Sequence, residues 1–123
     1  MACRFSELVV DSRDPESLAA FWAAVLDYHV LGREDDGAVE IGPMAGFGGP
    51  APTLLFQPVT EPTPGKVRLH IDLNPTDRDQ DAELQRLLDL GATPADVGQS
   101  GDESFRVLAD PEGNEFCLLR TRL

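Results

Sequence analysis

Two histidines, His29 and His70, and two cysteines, Cys3 and Cys117, are all the imidazoles and thiols in 123 residues. Neither histidine neighbours a plausible nucleophile, which sets aside Ser-His-Asp and Cys-His hydrolases. Cys117 falls in the apolar run Phe116-Cys117-Leu118-Leu119 and is expected to be a buried, inert thiol. What remains is one carboxylate and one imidazole at matching places, Glu7 and His70. Each is followed seven positions later by an aspartate, Asp14 or Asp77, of the kind that caps a helix. A glutamate and a histidine on corresponding strands are groups of general acid–base chemistry. Enclosure of Glu7 among Phe5, Val9, Leu55 and Leu118 would raise its pKa toward that of a useful base.

The elements that position these groups follow from periodicity. Residues 4–10 alternate as a strand, with Phe5, Glu7 and Val9 on one face. Asp14-Pro15-Glu16 then opens a helix whose stripe is Leu18, Phe21, Trp22, Val25 and Leu26, the aromatic pair reading as core anchors. Residues 28–33 and 38–41 form a hairpin around Asp35-Asp36-Gly37. Residues 42–52, rich in glycine and proline, are a lid or a plain connector, and no Gly-Lys-Ser/Thr follows to make them a phosphate loop. A strand at 53–59 precedes a proline-rich linker.

The chain then begins again, with a strand at 67–73, a helix at 78–90 stopped by Gly91, and strands at 93–97, 105–109 and 115–120. Both halves read βαβββ, so the expected organisation is one α+β domain made by duplication. Its modules span about residues 4–59 and 67–123, joined by a linker at about 60–66. On strand 67–73, alternation turns Val67, Leu69, Ile71 and Leu73 to the helices and leaves Arg68, His70 and Asp72 on the other face. If the two halves curl around a common space, Glu7 and His70 point into it. The turn Asp110-Pro111-Glu112-Gly113-Asn114 lacks the rest of a calcium loop and is expected only to join two strands.

Charge narrows the partners. Ten Lys and Arg against 22 Asp and Glu give a net charge of -12, which repels nucleic acid and anionic membrane and mildly favours a cationic ligand. No apolar run approaches the ~20 residues that span a bilayer. The opening Met-Ala-Cys-Arg-Phe lacks the apolar stretch of a leader, so a cytoplasmic location is expected.

Taken together, several segments resemble the vicinal oxygen chelate superfamily of glyoxalase I, bleomycin-resistance proteins and extradiol dioxygenases, and in particular its glyoxalase-like subgroup. They are Val9-Val10-Asp11, Asp14-Pro15, Phe21-Trp22, Leu26-Asp27-Tyr28, Arg68-Leu69-His70-Ile71-Asp72-Leu73, Leu90-Gly91-Ala92 and Asp110-Pro111-Glu112-Gly113-Asn114-Glu115-Phe116-Cys117. The resemblance implies paired βαβββ modules forming a U-shaped, partly closed mixed sheet with helices outside, and a small-molecule site within. It also implies a homodimer. Metal-dependent relatives hold a divalent ion with four residues, typically His or Gln, Glu, His and Glu, at positions matched here by Glu7, Gln57, His70 and Leu118. Leucine has no electron pair to give, so the set is incomplete and no metal is assigned; three donors and a water would be the open zinc alternative. Without an ion, His70 is expected to bond Glu7 or Asp72. By the same resemblance Glu7 and His70 are the catalytic pair, lined by Phe5, Val9, Gln57, Arg68, Asp72, Leu118 and Arg120. The implied activity is that of a lyase or isomerase working next to a carbonyl, with Arg68 or Arg120 steadying an enolate. The alternative is sequestration of a ligand without turnover, in the manner of the bleomycin-resistance branch.

Overall fold

The computed structural model describes residues 2–62, 69–95 and 104–123. The chain divides into two compact units, Met1–Pro64 and Gly65–Leu123. Among the described residues each unit carries one helix and one four-stranded mixed sheet in the order strand, helix, three strands, the α+β βαβββ pattern expected from sequence.

In the first unit the alternating segment Glu7–Ser12 forms β1. Asp14 caps α1 (Pro15–Leu26), its carboxylate accepting from the Ser17 backbone N–H at 3.3 Å and the Ser17 hydroxyl at 2.8 Å. Pro15 has no N–H to leave unsatisfied in the first turn. The helix buries Leu18, Ala19, Phe21 and Trp22, and the two rings meet edge to face at 5.3 Å. It ends at Asp27, whose φ of 55° turns the chain toward β2 (His29–Arg33). Gly37, at φ 97°, closes the turn into β3 (Val39–Gly42), and β4 (Thr53–Pro58) follows the glycine-rich segment. The sheet order is β1-β4-β3-β2, with β1 and β4 parallel and the other pairs antiparallel.

Register fixes the faces. Val39, Ile41, Leu54 and Phe56 are buried on the side where α1 packs against β3 and β4. The pairs Glu7↔Thr53, Val9↔Leu55, Asp11↔Gln57 and Glu40↔Leu55 therefore share the opposite, more open face.

The second unit repeats the plan with β5 (Ile71–Leu73), α2 (Gln80–Leu90), β6 (Thr93–Pro94), β7 (Arg106–Ala109) and β8 (Glu115–Leu118). Its order is β5-β8-β7-β6, with β5 and β8 parallel. Four sequence expectations are corrected. The strand expected at 67–73 begins only at Ile71; residues 67 and 68 lie outside the described set, and Leu69 is 78% exposed instead of facing a helix. The helix starts at Gln80, not 78, because the cap is Asp79, accepting from the Ala82 N–H at 2.8 Å. Asp77, the expected cap, is engaged instead by the neighbouring Arg78 guanidinium. The last strand stops at Leu118, short of Arg120. Of the strand expected at 93–97, residues 96 and 97 lie outside the described set. Gly91 ends α2 at φ 120°, as its position predicts.

Candidate functional site

On the open face of the first sheet, three side chains from three strands meet. The Thr53 hydroxyl donates to Glu40 Oε2 at 2.9 Å, and Glu7, the register partner of Thr53, shares a side-chain hydrogen bond with Glu40. A hydrogen bond between two carboxyl groups needs a proton on one of them. Burial is the largest cause that pushes the Glu7 pKa up from its ordinary 4.5, followed by the Glu40 hydrogen bond and the charges of Glu40 and Glu34; a hydrogen bond from Thr53 opposes them. Two carboxyl groups thus meet at one spot, the Glu7 proton held more tightly than usual, with Val9 and Leu55 beside them in register.

Glu40 was not singled out by the sequence reading, which sought site residues only on the first and last strands of each half. The signal was present, since Glu40 is a lone charged residue between Val39 and Ile41, two residues that alternation sends to the core. Gly42, next along the same face, lets Leu31 and Thr53 close together: a Cβ there would stand 2.7 Å from Leu31 Cδ1 and 2.8 Å from Thr53 Cγ2. Phe5 lies just ahead of β1 and is exposed.

Gln57 shares the face of Glu7 but not its neighbourhood. It pairs with Asp11, to whose Oδ1 its amide donates at 2.8 Å. It stands four positions along the strand from Thr53, about 13 Å at the usual rise.

In the second unit, His70 Nε2 lies 3.3 Å from Asp72 Oδ1, one of the two partners expected for it. Asp72 stands in register with Cys117 on the parallel neighbour β8. One donor atom from each of His70, Asp72 and Cys117 falls within 4.8 Å of the others. This corrects two expectations at once. Cys117 is not part of the apolar layer; alternation along β8 sends Phe116 and Leu118 to the core at 1% exposure each and turns Cys117 the other way. Leu118, expected to line the site at the fourth position, is the residue turned inward, and its carbonyl accepts from the buried Gln80 amide at 3.1 Å. Arg120 lies beyond the strand end and is exposed, and Arg68 lies outside the described residues.

The ligand set that the superfamily implies does not fit at the positions read from sequence. Leu118 offers no donor and faces the core, Gln57 is bonded to Asp11, and Glu7 is bonded to a second carboxyl. Nor does the Asp110 turn offer a cation site. Its carboxylate, 3% exposed, accepts from the N–H groups of Glu112 and Asn114 and from the Asn114 side-chain amide.

Known proteins share this architecture. The chain aligns over 94% of its length, at 16% identity and TM-score 0.69, with 97% of a glyoxalase/bleomycin resistance protein/dioxygenase family enzyme from Burkholderia phytofirmans PsJN. A mutant of the genomically encoded fosfomycin resistance protein FosX from Listeria monocytogenes, complexed with Mn(II) and 1S,2S-dihydroxypropylphosphonic acid, aligns with all of the chain over 94% of its own, at 13% identity and TM-score 0.73. A possible glyoxalase from Bacillus cereus covers 96% of the chain and 99% of its own at 15% identity and TM-score 0.69. Comparison with curated proteins found no match. Among the described residues, no helix is long and apolar enough to cross a membrane. The profile of the glyoxalase-like domain matches residues 7–119, and the chain belongs to that family.

Proposed function

We propose that the chain binds a small organic molecule on the open face of its first sheet and moves a proton on a carbon next to a carbonyl, as a lyase or isomerase does. The observation that carries this reading is the Glu7–Glu40 carboxyl pair held at Thr53. The ionised member takes the C–H proton while the electron pair of that bond moves into the carbonyl. The protonated member gives its proton to the enolate oxygen. Return of a proton to the neighbouring carbon isomerises the substrate, and loss of a leaving group from the next carbon completes an elimination. Two adjoining carboxyls, one of them with its pKa raised, suit such paired acid and base roles. Val9 and Leu55 offer the hydrocarbon wall, and Phe5 is a further candidate. FosX, with its Mn(II) and phosphonic acid diol, supports a small polar ligand for this fold.

Proton NMR in D2O over a panel of 2-oxo and 2-hydroxy carbonyl compounds tests the reading. The wild type should wash out the C–H signal next to the carbonyl of at least one compound. Glu7→Gln should abolish the exchange, and Glu40→Gln should lower it by roughly a hundredfold. Exchange that survives both substitutions would refute the assignment.

A second reading, sequestration without turnover, is favoured by the exposed hydrocarbon of Val9 and Leu31 beside two glutamates in a chain of net charge -12, a surface suited to an amphipathic cation. It predicts a ligand-induced rise in Tm with no exchange. A cytoplasmic homodimer belongs to either reading; the edge strand β2, exposed along its whole length with Val30 and Leu31 outward, supports pairing with a second copy.

A further inference from the structure

We infer that His70, Asp72 and Cys117 form a binding site for a thiophilic divalent cation of the zinc class, with all three protein ligands taken from the second unit. The site shares no residue with the Glu7–Glu40 pair and stands whether or not that pair is catalytic.

Three features of the backbone create the cluster. His70 stands just before β5 and Asp72 within it, and the two side chains meet with Nε2 3.3 Å from Oδ1. The parallel pairing of β5 with β8 sets Cys117 beside Asp72. Phe116 and Leu118, buried in the core, lock β8 in the phase that turns Cys117 the other way. An ion at about 2.0–2.3 Å from nitrogen, oxygen and sulfur holds tetrahedral donors roughly 3.3–3.8 Å apart. His70 Nε2 and Asp72 Oδ1 are already at 3.3 Å, and the full set lies within 4.8 Å. The two outer side chains are 57% and 50% exposed, so small rotamer changes bring them onto the ion without disturbing the core.

The donor types select the metal. A thiolate with an imidazole favours zinc, cobalt and cadmium, whereas magnesium, calcium and manganese prefer all-oxygen shells. Three protein ligands leave the fourth position to water or a ligand group. On binding, the Cys117 thiol loses its proton to solvent as the S–metal bond forms, and nothing is oxidised or reduced. The first unit shows the contrast. Its parallel pair β1 and β4 carries Val9↔Leu55, hydrocarbon on both strands, where β5 and β8 carry Asp72↔Cys117. The duplicated framework has donors here in one copy only.

Titration of the reduced, metal-free full chain with Co(II) tests the inference. One equivalent should produce a thiolate-to-cobalt charge-transfer band with the intense visible absorption of a tetrahedral site. Zn(II) should displace the cobalt, and Mn(II) and Mg(II) should not. Cys117→Ser should lose the charge-transfer band and Cys3→Ser should keep it, each with an unchanged circular dichroism melt in the absence of metal. His70→Ala and Asp72→Asn should weaken Co(II) binding by more than the roughly 10–100-fold that loss of an outer-shell partner costs. No band at one equivalent, a band that survives Cys117→Ser or vanishes in Cys3→Ser, or equal competition by Mn(II) would each overturn it. Should Cys117→Ser fail to fold, Asp72→Asn at the exposed edge of the cluster carries the same decision through its affinity.

Discussion

Gly42→Ala is a small substitution that should register out of proportion to its size. Gly42 ends β3 beside Thr53, two residues on from Glu40 and so on the face that carries it. A methyl group there would lie 2.7 Å from Leu31 Cδ1 and 2.8 Å from Thr53 Cγ2, well inside the ~3.5–4.0 Å of a normal carbon contact. The two neighbours respond differently. Leu31 is partly exposed on an edge strand, and its terminal methyl can swing into water at little cost. Thr53 is fully buried, β-branched and bonded through its hydroxyl to Glu40, so its methyl has nowhere to turn. Overpacking of this kind costs about 1–3 kcal/mol. Restriction of the unfolded chain by the added methyl returns about 0.4–1 kcal/mol. The net loss should therefore be about 1–2 kcal/mol, or a fall in Tm of roughly 4–8 °C for a chain of this size.

Urea unfolding should show the loss as a lower midpoint at unchanged slope. The structural cause is tested by Thr53→Ser, which deletes the offending Cγ2 and keeps the hydroxyl for Glu40. In that background Gly42→Ala should cost far less, giving a favourable coupling of about 1 kcal/mol in the double-mutant cycle. A Gly42→Ala protein as stable as wild type, or a penalty undiminished by Thr53→Ser, would refute the contact argument.

Three further outcomes follow from the same kind of reasoning. Because the folded Glu7 pKa lies above its ordinary 4.5, the native chain holds that proton more tightly than the unfolded chain; stability from this group is greatest below 4.5, declines as pH rises through the raised value, and is flat above it. Glu7→Gln should remove that decline and be more stable than wild type at neutral pH, and a decline of unchanged size in urea midpoints measured against pH would refute it. Asp110→Ala should cost about 3 kcal/mol in urea unfolding, since a buried carboxylate that gathers the Glu112 and Asn114 donors is removed, and a loss below about 1 kcal/mol would mean the turn is held by other contacts. Asp79→Ala should cost about 1 kcal/mol and Asp77→Ala clearly less, the reverse order marking Asp77 as the true cap.

The helix starts and stops were legible wherever one residue does the work locally. Asp14-Pro15 opens α1 and Gly91 closes α2 because a cap and a left-handed terminus depend on the adjacent backbone alone. The second cap was misplaced for a related reason: the sequence offers Asp77 and Asp79, both chemically able, and only the path of the chain from β5 through the buried Pro75 selects between them. The site was less legible, because its geometry depends on pairing between distant segments. Alternation gave Gln57 the right face, but only the register of β1 with β4 shows it beside Asp11 and away from Glu7. Cys117 was read by the company it keeps in sequence, Phe116 before it and Leu118-Leu119 after it, although a strand gives adjacent residues opposite surroundings. Glu40 required a third strand, β3, to be recognised as part of the open face.

The parallel pairing of a unit's first and last strands explains why such distant residues meet. Asp72 and Cys117 are 45 positions apart, and Val9 and Leu55 are 46, yet each pair is adjacent because the helix and hairpin between them return the chain to the same edge. The backbone fixes the closeness, so the residue types at these positions decide the chemistry: two hydrocarbons make a wall, while an aspartate and a cysteine beside a histidine make a donor cluster. Conversion of one into the other needs no change of fold. Val9→Asp with Leu55→Cys would place a carboxylate and a thiol in register next to Glu7, and if strand pairing is what builds the second unit's cluster, that double variant should acquire cobalt-thiolate absorption even in a Cys117→Ser background. Failure to acquire it in a folded protein would mean that His70 supplies something that register alone does not.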